Sequence, residues 1–132
     1  MPDLKAASMY LEASHRDLRA VHGMVTNAEF ADEIFGFHAQ QTAEKALKAW
    51  LCLYTDKVPR THDLSQLAFE LENHTGSLPD NLTELLDLTD YAVTLRYADM
   101  PLDAHIDRPR TFEIVNGLFS RVRGLIDDAL HR

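Results

Sequence analysis

The stretch FHAQQTAEKALKAW, residues 37–50, combines strong helix formers with two adjacent glutamines, Gln40 and Gln41. Extended in both directions, its apolar residues keep the steps of three and four that indicate a helix over about residues 31–55. Neighbouring side chains of a helix point in different directions, so at least one glutamine lies at the edge of the buried face. A buried amide needs hydrogen-bond partners. The stretch therefore predicts a helix whose packed side includes polar groups: Gly36, Gln40, Ala43, Leu47, Trp50 or Leu51, and Tyr54.

Three further segments carry the same helical periodicity, at about residues 3–25, 80–97 and 109–131. Between the second and third long segments, Pro59 breaks the pattern, and Thr61 or Asp63 can cap a short helix that ends near Thr75-Gly76. Four long helices and one short helix with brief connections predict an all-α fold, an up-down-up-down four-helix bundle with an additional short helix. At 132 residues, the chain is expected to form one domain over 1–132.

The charge balance restricts the partners of the chain. A net charge of −8 disfavours sequence-independent binding to a nucleic-acid backbone, except at a local basic patch. Such a patch has six candidates: Lys45, Lys48, Arg60, Arg96, Arg108 and Arg110. No apolar run is long enough to span a membrane and no signal-peptide pattern is present, so a cytoplasmic location is expected. The single Cys52 lies among apolar neighbours, which indicates a packed thiol.

A polar stripe runs beside the apolar side of the second helix. His38, Gln41, Lys45 and Lys48 recur at steps of three and four, and Glu44 precedes Lys48 by one turn, in the favourable order for an exposed ion pair. Two interpretations stay open. The stripe is either an ordinary solvated face or one wall of an anion site that includes Gln41, Lys45 and Lys48.

Candidate partners for that wall lie in the segment LRYAD and in the step before the short helix. Arg96, Tyr97 and Asp99 can clamp a phosphate or an anionic side chain, because a guanidinium binds such groups in a planar, bidentate manner. Alternatively, Arg96 caps its own helix and pairs with Asp99. His62 is a further binding candidate, and the alternative is that His62-Asp63 is only a helix cap.

These motifs and their order resemble the HEPN domain, a helical family associated with nucleotide binding. The resemblance rests on FHAQQTAEKALKAWL, on the Pro-x-Thr-His-Asp-Leu step and on LRYAD before the last helix, and it covers nearly the whole chain. It implies a bundle that commonly forms homodimers, with Gln40, Gln41, Glu44 and Lys45 lining its core. It also implies a cytoplasmic binding module for a nucleotide or a nucleic-acid phosphate, in a toxin-antitoxin-like pair with a minimal nucleotidyltransferase.

The resemblance fails at one motif. Family members that are metal-independent endoribonucleases carry Arg, four to six residues, then His, which bind the scissile phosphate and transfer a proton. Here the histidine after Arg96 is His105, with eight residues between the two and Pro101 among them. An endoribonuclease toxin using Arg96 and His105 remains an alternative, as does a structural helical dimer without a ligand. A literal match at Arg16 and His22 lies in the first helix, with the two residues about 120° apart, and is interpreted as coincidence.

The sequence contains no complete motif for binding a metal ion or a cofactor. Glu12-x-x-His15 has the spacing of a di-iron bundle site, but the sequence holds no second copy. Glycine-rich phosphate loops and zinc-type cysteine clusters are also missing, so no cofactor and no metal are expected. For the dimer, we expect an exposed aromatic patch, because Phe35, Phe37 and Trp50 cannot all point to one bundle axis.

Overall fold

The computed structural model describes residues 1–94 and 106–132. Within these ranges all regular secondary structure is helical, in agreement with the sequence prediction. The elements in chain order are α1 (Leu4–Met24), α2 (Asp32–Leu51), α3 (Leu64–Thr75), a 3₁₀ helix (Asp80–Leu88), α4 (Thr89–Thr94) and α5 (Arg108–Leu130).

Helices α2 and α5 both run antiparallel to α1. Three contacts fix α1 against α2, namely Asp3 N with Cys52 O (2.7 Å), Ser14 Oγ with Thr42 O (2.8 Å) and Asp17 Oδ1 with His38 Nδ1 (2.9 Å). Early residues of α1 meet late residues of α2, so the two helices are antiparallel. The ring pairs His15–Phe119 and His22–Phe112 give the same relation between α1 and α5. The result is a helical bundle with α3 as the additional short helix, as predicted.

Helix α2 is the centre of the bundle, since it contacts α1, α3, the 3₁₀ helix, α4 and α5. Residues on nearly every side of it are therefore buried, and the predicted packed side is buried from Gly36 to Leu51, while Tyr54 is exposed. The prediction that Phe35, Phe37 and Trp50 leave an exposed aromatic patch is wrong. Phe35 and Trp50 are both buried and Phe37 is partly buried, because a central helix has packing partners all around it.

The segment predicted as one long helix over 80–97 begins as a 3₁₀ helix and becomes α-helical only at Thr89. The buried residues of the 3₁₀ helix, Leu82, Leu85 and Leu88, are spaced by three. Three residues complete one turn of a 3₁₀ helix, so this spacing forms a single apolar stripe there, whereas it would drift around an α-helix. Residues 95–97 of the predicted helix lie outside the described residues.

Arg108 joins three parts of the bundle at the end where α1 meets α2. Its guanidinium donates to the carbonyls of Met24 (2.8 Å), Asn27 (3.2 Å) and Phe30 (2.5 Å), and it forms two bonds to Asp32 Oδ1 (3.0 and 2.8 Å). The bond to Met24 satisfies a carbonyl in the last turn of α1, which the helix cannot pair internally, and the other two bonds hold the connection to α2. Arg108 is thus a structural residue and not part of a free basic patch.

Candidate functional site

Glu44 lies at the centre of a buried polar network on α2. Its carboxylate is almost fully buried and accepts from Gln40 Nε2 (3.0 Å), Lys48 Nζ (3.1 Å) and His62 Nδ1 (2.8 Å). Gln40, Glu44 and Lys48 are one helical turn apart, so α2 itself aligns three members in a row. The fourth member, His62, arrives from the loop before α3. Helix α2 and this loop are therefore joined through one carboxylate.

Gln41 and Lys45 form the outer layer of the same network. Gln41 donates to Gln40 Oε1 at 2.6 Å and accepts from Lys45 Nζ at 2.8 Å, and Lys45 Nζ also lies 3.5 Å from Glu44 Oε2. Both side chains are half-buried. The predicted wall residues Gln41, Lys45 and Lys48 are thus brought together, and Glu44 is the residue that connects them.

His62 connects the network with the surrounding solvent. Its side chain is 53% exposed although its Nδ1 reaches the buried Glu44. The adjacent Asp63 caps α3 by accepting from Ser65 N at 2.9 Å, and the His62 carbonyl accepts from Gln40 Nε2 at 3.1 Å. The two residues of the His62-Asp63 step therefore differ: Asp63 is a helix cap, as one interpretation held, while His62 belongs to the network.

The environment keeps Glu44 ionised. Burial alone would raise the pKa of this carboxyl, but hydrogen bonds from Gln40, His62 and Lys48, with the nearby charge of Lys45, outweigh burial and lower the pKa from its usual value. The expected exposed ion pair between Glu44 and Lys48 is wrong, since the two side chains are 1% and 10% exposed. An ion pair with this spacing of four residues usually lies on the exposed surface of a helix, but here it is buried because α2 is the central helix.

The network holds more positive than negative groups. One carboxylate faces two ammonium groups, Lys45 and Lys48, together with the imidazole of His62. Lys45, the more exposed of the two lysines at 24%, carries the surplus charge towards the surface of a chain whose net charge is −8. Such an arrangement can attract an anion to donors that the buried Glu44 already holds in place.

The remaining candidates from the sequence do not add to the network. Four of them, Arg96, Tyr97, Asp99 and His105, lie outside the described residues. Arg110 forms two bonds to Glu84 (3.1 and 2.7 Å) on the 3₁₀ helix, and this pairing lowers the pKa of the Glu84 carboxyl. Arg110 is therefore committed to a carboxylate inside the chain, as Arg108 is.

A second candidate surface, around Arg19, lies in the groove between α1 and α5, and the sequence interpretation missed it. The imidazole of His15 stacks on Phe119, and that of His22 lies tilted against Phe112, with 5.3 Å between ring centroids in each pair. Arg19 lies between the two histidines in a cleft of about 370 Å³ that has no carboxylate in its lining. The spacing of His15, Arg19 and His22, with steps of four and three, places them on one helix face and could have revealed the row.

The remaining reactive side chains contribute no further site. Cys52 is buried, and burial together with the charge of Asp3 raises the pKa of its thiol to about 11, which agrees with the predicted packed thiol. Within residues 1–94 and 106–132, no three His, Cys, Asp or Glu side chains are grouped to hold a metal ion. None of the described helices combines the length and the apolar character that crossing a membrane requires.

Comparison with known proteins identifies the family. The family model described as HEPN domain matches residues 4–129, and no curated protein or solved structure gives a significant match. The match covers nearly the whole chain, so the chain belongs to the HEPN domain family. Membership associates it with nucleotide- and RNA-related modules, in a family whose domains commonly dimerise.

Proposed function

We propose that this HEPN-domain protein binds the phosphate group of a nucleotide or nucleic acid at the network around Glu44. The observation that carries the proposal is the surplus of positive charge there, with two lysines around a single buried carboxylate. On a chain of net charge −8, an anion is repelled on average, so binding requires a local surplus of this kind.

In this proposal, the more exposed lysine of the network contacts the ligand and the buried residues hold it in position. Lys45, at 24% exposed, is the donor that a phosphate can reach, while the imidazole of His62, at 53% exposed, uses its Nδ1 for Glu44. Lys48 is nearly buried and stays with Glu44, which holds α2 and the loop of His62 in fixed relation. Donors that are positioned before the ligand arrives lose less entropy on binding. Arg96, Tyr97 and Asp99 remain candidates for the opposite wall on the grounds of the sequence alone.

For the biological setting, we propose a homodimer that pairs with a minimal nucleotidyltransferase in a toxin-antitoxin-like system. Support comes from the family membership and from the phosphate chemistry proposed above. An adjacent gene with a Gly-Ser-x-x-x-x-x-x-Asp-x-Asp motif, and co-purification of its product, would agree with the pairing. Sedimentation that yields only the 15.0 kDa monomer at tens of micromolar would contradict the dimer.

The binding test compares two lysines of the same network. Titration with fluorescently labelled ATP and with a short single-stranded RNA is expected to show that Lys45→Gln weakens binding by roughly tenfold or more, as loss of a charged hydrogen bond does. It should also flatten the dependence on salt concentration, because one phosphate contact is gone. Lys48→Gln should change affinity much less.

Two controls make the result specific. Lys57→Gln removes an exposed lysine outside the network and should leave binding unchanged. Arg19→Glu tests the groove between α1 and α5; if it, and not Lys45→Gln, abolishes binding, the proposed site is wrong. In parallel, RNA cleavage that is abolished by Arg96→Ala and by His105→Ala would favour the endoribonuclease alternative.

A further inference from the structure

The net charge of the chain is concentrated in one part of the molecule. Residues 61–94 contain seven of the 21 acidic residues and none of the 13 lysines and arginines. This stretch comprises α3, the 3₁₀ helix and α4, which lie next to one another. The face that these elements present is therefore acidic, while the rest of the chain is close to neutral.

An apolar cleft crosses this acidic face between α3 and the segment that leads into the 3₁₀ helix. Its volume is about 380 Å³, and its lining includes Ala68, Phe69, Leu78 and Leu86. Phe69 is 67% exposed, which makes it the most exposed aromatic side chain among the described residues. A large aromatic ring that stays exposed at the edge of an apolar cleft is typical of an interaction surface.

Two carboxylates border the cleft. Glu72 lies one turn after Ala68 on α3, and Asp80 begins the 3₁₀ helix on the opposite side. Neither forms an ion pair within residues 1–94 or 106–132, and no lysine or arginine lines the cleft. Both carboxylates are exposed and can meet charges on an incoming molecule. An apolar floor between two acidic borders is complementary to a segment that is apolar on one side and basic on the other.

We propose that this surface, formed by Phe69, the cleft and the carboxylates of Glu72 and Asp80, binds a basic amphipathic helix of a partner protein. The apolar side of that helix would lie on Phe69 and Leu86, with lysines or arginines beside Glu72 and Asp80. A helix laid into an apolar groove is a recurrent mode of recognition, and its anchors recur at every third or fourth residue. Nucleic acid is excluded from this face by the carboxylates. This proposal is independent of phosphate binding at Glu44.

The probe is a synthetic helix-forming peptide with leucines on one side and lysines on the other, added to the whole protein and followed by fluorescence anisotropy. We expect binding that Phe69→Ala weakens by about tenfold or more, as loss of a central aromatic anchor does. Glu72→Lys should mainly slow association and reduce its salt dependence. Because Phe69 and Glu72 are both exposed, neither change is expected to disturb folding, which circular dichroism would check.

Matched controls exist elsewhere on the surface. Met9→Ala removes a side chain that is 64% exposed on α1, and Asp128→Lys reverses an exposed charge on α5; both should leave peptide binding unchanged. Equal effects of Phe69→Ala and Met9→Ala would overturn the proposal. So would equal binding of a scrambled peptide or of a leucine–glutamate peptide. If Phe69→Ala instead converts a dimer of the chain to a monomer, the cleft belongs to a second copy and the proposal is wrong.

Discussion

Replacing Glu44 with glutamine tests whether the buried network stabilises the fold. The change keeps the size of the side chain but removes its charge, so the ammonium of Lys48, now 3.1 Å from a neutral group, loses its counter-ion at a position only 10% exposed. Breaking a buried ion pair by removing one partner costs roughly 3–5 kcal/mol. The remaining exposure of Lys48 favours the lower end, so we expect Glu44→Gln to lower the free energy of unfolding by about 3 kcal/mol.

Urea denaturation followed by circular dichroism measures this loss. For a domain of this size, about 3 kcal/mol corresponds to a decrease in Tm of roughly 10 °C. Glu12→Gln, at an exposed position on α1, is the matched control and should stay within about 0.5 kcal/mol of the parent protein. In a double-mutant cycle with Lys48→Met, the combined variant should lose less than the sum of the single losses, because the apolar replacement removes the unpaired charge.

The stabilisation by Glu44 should also depend on pH. Its folded-state pKa lies below the usual value of 4.5, so the contribution is fully present above that value and is lost as pH falls through the folded-state pKa. The difference in stability between the parent protein and Glu44→Gln should therefore be constant near neutral pH and shrink below about 4.5. Two results would contradict a stabilising role for ionised Glu44. One is a loss of stability below about 1 kcal/mol in Glu44→Gln at neutral pH, and the other is a difference between the two proteins that grows in acid.

Further predictions concern the packing of the bundle. Gly36→Ala should cost about 1–3 kcal/mol, because its Cβ would lie 2.3 Å from the ring of Tyr91, whereas Gly117→Ala meets nothing within 4 Å and should stabilise α5 by roughly 0.5–1 kcal/mol in the same urea experiment. Arg108→Lys should lower Tm by several degrees, since an ammonium cannot reach the three carbonyls that the guanidinium binds. In the folded protein at pH 8, Cys52 should react with a thiol reagent only after urea is added, and fast labelling without urea would contradict its burial.

Periodicity alone predicted most of the fold. In α1, which was predicted over about residues 3–25, Ala7, Ser14, Leu18 and Val21 are buried on one face, because steps of three and four follow one side of an α-helix. The 3₁₀ helix was missed for the same reason. Its leucines at spacings of three also fit an α-helical pattern over a few turns, so the difference between the two helix types is hidden in so short a segment.

The site could be predicted only in part, since burial is a property of the assembled bundle. Gln41, Lys45 and Lys48 were correctly placed on one stripe, yet Glu44 was assigned to the surface because its spacing from Lys48 is that of an ordinary exposed pair. Only contacts with every other helix show that α2 is enclosed. The link from His62 to Glu44 spans 18 residues of sequence, and no local pattern predicts it.

Glu44 reduces the energetic cost of placing two lysines close together in a partly buried site. Lysines kept ready for an anion repel each other and are costly to bury without a counter-charge, so a site built from Lys45 and Lys48 alone would destabilise the bundle. Glu44 provides one negative charge for two lysines, and the better buried lysine uses it at the shorter distance, 3.1 Å against 3.5 Å. Lys45 is left less satisfied and more exposed. The proposed phosphate site thus assigns ligand affinity to Lys45 and stability to Lys48, and the comparison of Lys45→Gln with Lys48→Gln tests that separation directly.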